Sequence, residues 1–441
     1  MSLEREIARR RVAAADAAAR VRPVDALAVG LGPCQPASFL HALGERDDFE
    51  RLMVFGALLT GLYKLFTRRG VTLLSGFFGP VERGLRQAGY DVRFVPADFR
   101  RFGHVARRLA PRVMATAVAP PDAQGRFSLA LHAGATVHEL HRCGHDPDRL
   151  LVVEVNPKLP RTLGLPPEHP HALSLEEVDL VIESDAEPFL LPDHPPDEIE
   201  RAIAGHAARF IPDGATLQTG IGGIPGEIVE VLAEGPGGDY GVHSEMFTTG
   251  LMQLQRRGKV TNRKGVFDGF SVCTFAAGTA ELYEWLDGQE AVRFLPVDVV
   301  NDPSVIGRNR RMVSINGALS IDLAGQVAAD TVGGRQYSGI GGHEDFVQGA
   351  AFAEGGRSLV CLPATARLRS EAGEQLISRI AGSFRNGELV TTPRHQVDVI
   401  VTEFGAAELA GVTDDERAER LIAIAHPDFR DALRAERAGA K

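Results

Sequence analysis

"DGATLQTGIGGIPGEIVEVLAEG", residues 213–235, decides how this chain is read. A short apolar and β-branched run leads into Gly220-Ile221-Gly222-Gly223-Ile224-Pro225. An apolar stripe with regularly placed acids follows. The order is strand, glycine loop, helix. Pro225 suits a first helical turn, where its missing N–H costs nothing. An earlier stretch, "DALAVGLGPCQP" at 25–36, repeats the plan of Asp, short strand, Gly-x-Gly, loop Pro and helix. "DVRFVPAD", "RVMATAVAP" and "LLVVEVN" are further strand candidates, separated by helical stretches. Strands alternating with helices predict a mainly parallel sheet. At 441 residues the chain exceeds one ordinary core. We expect an α/β protein of two related open α/β domains, 1–190 and 199–441, joined by the Pro- and Asp-rich segment around 184–198. Residues 1–20, alternating charge and alanine, are expected as a helix.

Composition narrows the class. Hydrophobic residues are 44% and charged residues 24%, as in a soluble globular protein. The net charge of −10 argues against broad nucleic-acid binding, though a local basic patch can still hold an anion. Cys34, Cys143, Cys273 and Cys361 are dispersed and form no CxxC pair, which reads as reduced thiols and a cytoplasmic location. The start, MSLEREIARRR, has no apolar core of a signal peptide. No apolar run is long enough to span a bilayer, so no membrane partner is expected.

Two glycine loops invite a ligand. Backbone N–H groups at Gly220–Gly223 open a helix and favour anions. Pro225 stands where the dinucleotide fingerprint needs its third glycine, so that fingerprint fails and a tight strand–helix turn is the plain alternative. In "GGRQYSGIGGHEDFVQGAAF", 333–352, five glycines crowd one loop before a helix. Such density lets backbone approach a ligand and can build an oxyanion hole. The alternative is a flexible surface loop. "HELHRCGH", 138–145, places His138, His141, Cys143 and His145 together, but the spacing fits no common zinc pattern. Ser338 lacks the leading glycine of a nucleophile elbow. Neither HExxH nor a P-loop is present.

"GVHSEMF", 241–247, raises a sharper question. Glu245 sits among Val242, Met246 and Phe247, where a charge is costly without compensation. A structural residue, a solvated loop residue and a reactive group all fit such a setting.

Taken in order, "DGATLQTGIGGIP", "GVHSEMFTTG", "NDPSVIG", "GGRQYSGIGGHEDF", "AERLIAIAHPDFR" and the earlier "VEVNPKLPRTLG" resemble the acetyl-CoA hydrolase/transferase family, a branch of the glutamate-dependent CoA-transferases. The resemblance covers roughly residues 20–435. It implies a CoA-transferase fold of two domains with the active site at their interface, faced by the Gly30–Pro36 loop. It implies Glu245 as nucleophile, Asn301 as the residue that holds it, and an acyl-CoA site at Gly339, Gly341 and Gly342. Gly220, Gly222 and His343 complete the expected substrate contacts. Coenzyme A enters as substrate. No metal and no tightly bound cofactor is implied. The partners are acyl-CoA and a short-chain carboxylic acid, in a homodimer.

Two departures bear on the acyl group. His343 replaces a Gln or small polar residue, and Ala328-Ala329 replace Asn-Ser. Both positions are expected near the CoA or acyl pocket. An acyl-CoA hydrolase using the same glutamate, and a non-catalytic CoA- or nucleotide-binding module, are the competing readings.

Overall fold

The computed structural model describes every residue except Met1, Ala133, Asp193, His194, Glu371, Ala372, Asn386, Ala440 and Lys441. Two residues of the expected linker, Asp193 and His194, therefore lie outside the described residues. The chain groups into two compact units: Met1–Pro192 with Val272–Val300, and Asp193–Ser271 with Asn301–Lys441. The segment Val272–Val300 lies inside the stretch that sequence assigned to the second domain, yet it groups with the first unit. Its backbone explains why. Ala276 N donates to Leu131 O and Phe294 N to Leu163 O, each at 2.8 Å.

The first unit is built on seven parallel strands: β1 Val24–Val29, β2 Arg51–Gly56, β3 Val71–Ser75, β4 Val92–Phe94, β5 Val113–Val118, β6 Leu150–Val155 and β7 Leu180–Glu183. Their order is β4-β3-β2-β1-β5-β6-β7. Every residue of β5 is buried, as expected for a central parallel strand covered on both faces. The N-terminal stretch forms two helices, Leu3–Arg10 and Ala14–Ala18, rather than one. Alanine favours helix throughout, but Val12 N donates instead to Val181 O on β7 at 2.9 Å, and Ala17 and Ala18 turn into the core.

The second unit carries β8 Thr216–Thr219, β9 Gly241–Val242, β10 Met312–Gly317, β11 Arg357–Cys361, β12 Val399–Thr402 and β13 Gly405–Glu408. The order is β9-β8-β10-β11-β12-β13, parallel except for the last pair. Both units place the first of these strands inside the sheet. The next strand lies on one side of it and a later strand on the other. Such a switch opens a crevice beyond the strand C-termini, where ligands of open α/β sheets bind. The Gly30–Pro36 loop follows β1, and Gly220–Gly222 follows β8. Helix Gly223–Glu234 then buries Ile228, Val229 and Leu232 against Leu217 and Ile315 of the sheet. The two glycine motifs read from sequence thus serve equivalent topological positions.

Candidate active site

Glu245 is held by the backbone on both sides of it. His243 N donates to Leu217 O on β8 at 3.1 Å. The Ser244 hydroxyl donates to Thr219 O at 3.2 Å and accepts from Thr219 N at 3.3 Å. Val242, His243, Ser244 and Phe247 are buried. Thr248 then caps helix Thr249–Arg256, its hydroxyl accepting from Leu251 N. The apolar alternation around Glu245 is what seats this segment, and it leaves the Glu245 side chain half-buried.

Asn301 arrives 56 residues later and is itself fully buried. Its Nδ2 donates to Glu245 Oε2 at 2.7 Å and to Asp345 Oδ2 at 3.2 Å. One amide nitrogen has two hydrogens, so each carboxylate receives one. This pairing fixes which way the amide points. Its Oδ1 is buried with no hydrogen-bond partner. Asp302 caps the short helix that follows, its carboxylate accepting from Ser304 N, which anchors the turn bearing Asn301.

The loop before helix His343–Phe352 closes over the same carboxylate. A Cβ on Gly342 would lie 2.2 Å from Glu245 Oε2 and 2.4 Å from Asn301 Nδ2, so any side chain there would displace that pair. The Gly342 backbone N–H lies near enough to the carboxylate to favour its charged form. Gly341, at φ +55°, occupies the left-handed region that favours glycine, and its Cβ position lies 3.5 Å from Glu245 Oε1. Gly339 is buried in the same loop. Burial pushes the Glu245 carboxyl from an ordinary 4.5 up to about 8. The Asp345 charge adds to the push, while Asn301 and Gly342 N–H pull it back. The outcome is a basic carboxylate beside preorganised donors.

The glycine loop is an organised structure. Thr331–Val332 and Arg335–Gln336 pair as a small hairpin. Tyr337 N and Ser338 N donate to Asp330 O, and the Gln336 amide donates to Asp330 Oδ2 and Ser338 O, each at 2.8 Å. Thr391 donates to Asp330 Oδ1 at 2.8 Å. His343 turns to Thr392, with its Nε2 at 2.9 Å from the hydroxyl, while that hydroxyl donates to Glu344. Nε2 is therefore the protonated nitrogen. Burial pushes the imidazole down to about 4, so it is neutral at pH 7. Ala328 lies on the strand Val327–Ala328, whose Val327 bridges Thr392, and Ala329 N donates to Thr391 Oγ1 at 2.9 Å. The two unusual positions thus adjoin through Thr391-Thr392.

The structure brings Glu245, Asn301, Gly341 and Gly342 together. A Cβ on Gly220 or Gly222 would meet nothing within 4 Å, so open space adjoins both, unlike Gly342. Ile221 between them is 51% exposed. The histidine cluster is tied up locally. His138 faces Asp298 at 3.0 Å and His141 faces Glu177 at 2.6 Å, while Cys143 is buried. Among the described residues no group of His, Cys, Asp and Glu is arranged to hold a metal ion. Sequence reasoning missed Asp345, Asp330 and the Thr391-Thr392 pair. Asp345 was visible in "GGHEDF", where a buried acid directly after a glycine loop is itself a signal. Thr391 and Thr392 carry none.

Comparison with known proteins gives a consistent set. Residues 278–437 match the acetyl-CoA hydrolase/transferase C-terminal domain. The chain is 35% identical over 441 residues to succinyl-CoA:cyclohexane-1-carboxylate CoA transferase of Geobacter metallireducens, covering 98% of this chain and 96% of that one. It is 38% identical over 342 residues to 4-hydroxybutyrate coenzyme A transferase of Clostridium kluyveri, covering 77% and 74%. The crystal structure of RipA from Yersinia pestis superposes with a TM-score of 0.90 at 34% identity, covering 100% of this chain and 99% of that one.

Proposed function

Since the chain belongs to the acetyl-CoA hydrolase/transferase family, we propose that it is a CoA-transferase that moves CoA between an acyl-CoA and a carboxylic acid, with Glu245 as nucleophile. One observation carries the assignment. A carboxyl raised to about 8 accepts from Asn301 Nδ2 and lies against the Gly342 backbone, where any added Cβ would displace the pair.

The chemistry follows from those groups. Ionised Glu245 attacks the thioester carbonyl of acyl-CoA, and the carbonyl electrons move onto oxygen. Collapse expels CoA thiolate and leaves an acyl-glutamyl anhydride. The thiolate attacks the glutamyl carbonyl of that anhydride, giving a glutamyl-CoA thioester and releasing the first acid as its carboxylate. A second carboxylate attacks the thioester and the steps run in reverse, returning Glu245 and a new acyl-CoA. Each addition creates an oxyanion. Asn301 Nδ2 already donates to a glutamyl oxygen and the Gly342 N–H lies beside the same carboxyl, so both can stabilise the charge on that carbonyl. CoA is substrate throughout. No metal enters these steps.

Short-chain acids as acceptors and a homodimer, supported by the family resemblance, and a cytoplasmic location, supported by the four dispersed cysteines, complete the reading. Trapping tests the core of it. After incubation with acyl-CoA, CoA should be found on the peptide bearing Glu245, and borohydride should reduce that thioester and inactivate the enzyme. Absence of the adduct over a broad acyl-CoA panel, with Glu245→Ala still active, defeats the proposal. Product release that requires an acceptor acid distinguishes transfer from hydrolysis.

A further inference from the structure

Residues 99–108, "FRRFGHVARR", hold four arginines and a histidine without one acid, in a chain of net charge −10. They form a 3₁₀ turn, Phe99–Arg101, running into helix Phe102–Leu109. Against that helix lies a cavity of about 280 Å³ in the first unit. Arg100, His104 and Arg107 form one wall, and His138 and Arg142 face them. Gly134 and Ala135 line it on the way into helix Val137–Gly144.

The charges within reach do not balance. Asp98 is taken by Arg100 at 3.2 Å, Asp298 by His138 at 3.0 Å, and Glu139 by Arg142. Arg107 is exposed, and no described residue pairs with its guanidinium. The helix that begins at Val137 has no side-chain cap, so its first N–H groups add positive potential at this side of the cavity. A basic wall, an uncommitted guanidinium and helix N–H groups around one cavity are the donors a phosphate takes.

We propose that this cavity binds the phosphate-bearing end of a ligand, with Arg107 as its main contact. The volume lies just below that of pockets which enclose a whole drug-sized molecule, so it suits a terminal group rather than all of a large cofactor. A phosphate monoester has two sources here: the 3′-phosphate of CoA, or a separate phosphorylated nucleotide. The site stands on its own geometry. Assigning it to CoA rests on the proposed function.

Calorimetry with adenosine 3′,5′-bisphosphate, CoA and dephospho-CoA on the full chain tests this. Arg107→Glu should weaken the bisphosphate about tenfold or more, in keeping with loss of a charged hydrogen bond. Arg69→Glu, an exposed arginine outside the cavity, should not. If CoA is the source, its affinity falls by a similar factor while dephospho-CoA is little changed. If a separate nucleotide is the source, only the bisphosphate weakens. Unchanged binding of all three probes in Arg107→Glu and in the Arg100→Ala/Arg107→Ala double variant overturns the site. These measurements need no turnover. Arginine-dependent binding without transferase activity would remove the CoA-transferase reading and keep the site, and the converse result would do the opposite.

Discussion

Glu245→Gln should abolish transfer and at the same time stabilise the protein, in a way that depends on pH. The folded-state pKa of Glu245 is raised, so the folded protein keeps this proton longer than the unfolded chain does. The stability tied to that proton is full below the unfolded value of 4.5 and is lost as pH rises through about 8. The shift from 4.5 to about 8 corresponds to about 5 kcal/mol at roughly 1.4 kcal/mol per unit. Water at the edge of a half-buried side chain offsets part of this, leaving about 2 kcal/mol at pH 8 and above. Glutamine cannot ionise, yet its Oε1 still accepts from Asn301. For a unit of roughly 200 residues, 2 kcal/mol is about 4–8 °C in Tm. Scanning calorimetry of both proteins from pH 5 to 9 measures it. The Tm difference should be small at pH 5, grow toward pH 8 and level off above. A difference independent of pH, or a variant less stable than wild type at pH 8, would falsify the account of a strained carboxylate.

Three further outcomes follow from the same contacts. The kcat/KM of the wild type should rise with pH on a limb centred near 8, because the free enzyme must ionise Glu245, and Asp345→Asn should move that limb to lower pH by removing a like charge. A limb that stays in place with a folded Asp345→Asn variant counts against the coupling. Gly342→Ala drives a methyl into Glu245 and Asn301, and steady-state assays should show kcat down by about 10²-fold or more; near-normal kcat would mean that the loop can yield. Asn301→Ala leaves the two carboxylates without their shared donor, so its limb should shift upward, and a downward shift would refute the bridging role.

The fold was legible where local pattern and topology agree. The strand, glycine loop and helix at 213–235 and at 24–43 carry their own punctuation, and both form as read. The first 20 residues misled because alanine reports propensity and says nothing of a strand that will capture Val12 N. The placement of Val272–Val300 was hidden for a related reason. Its strands resemble any others, and only long-range hydrogen bonds to Leu131 and Leu163 reveal where they group. At the site, Glu245, Asn301 and the glycine loop were read through family resemblance. Asp345 was passed over because an acid in the first turn of a helix is usually a solvated capping residue. Here it is fully buried and faces another carboxylate across one amide.

That juxtaposition suggests what the raised pKa is for. On the proposed pathway Glu245 alternates between a charged nucleophile and neutral acyl derivatives. Burial and the Asp345 charge penalise only the ionised state. A proton relieves the penalty, and so does covalent attachment, since neither the anhydride nor the CoA thioester leaves a charge on the glutamyl group. The forces that lift the pKa therefore favour acylation of the carboxylate by a comparable amount. Asn301 limits the effect: its hydrogen bond keeps a useful fraction ionised, roughly a tenth at pH 7 for a pKa of about 8. Removing Asp345 should then make Glu245 ionise more readily while weakening its drive to form the thioester. In Asp345→Asn, the trapped CoA adduct should fall at a pH where both enzymes are fully ionised. An undiminished adduct would show that the buried acid tunes protonation alone.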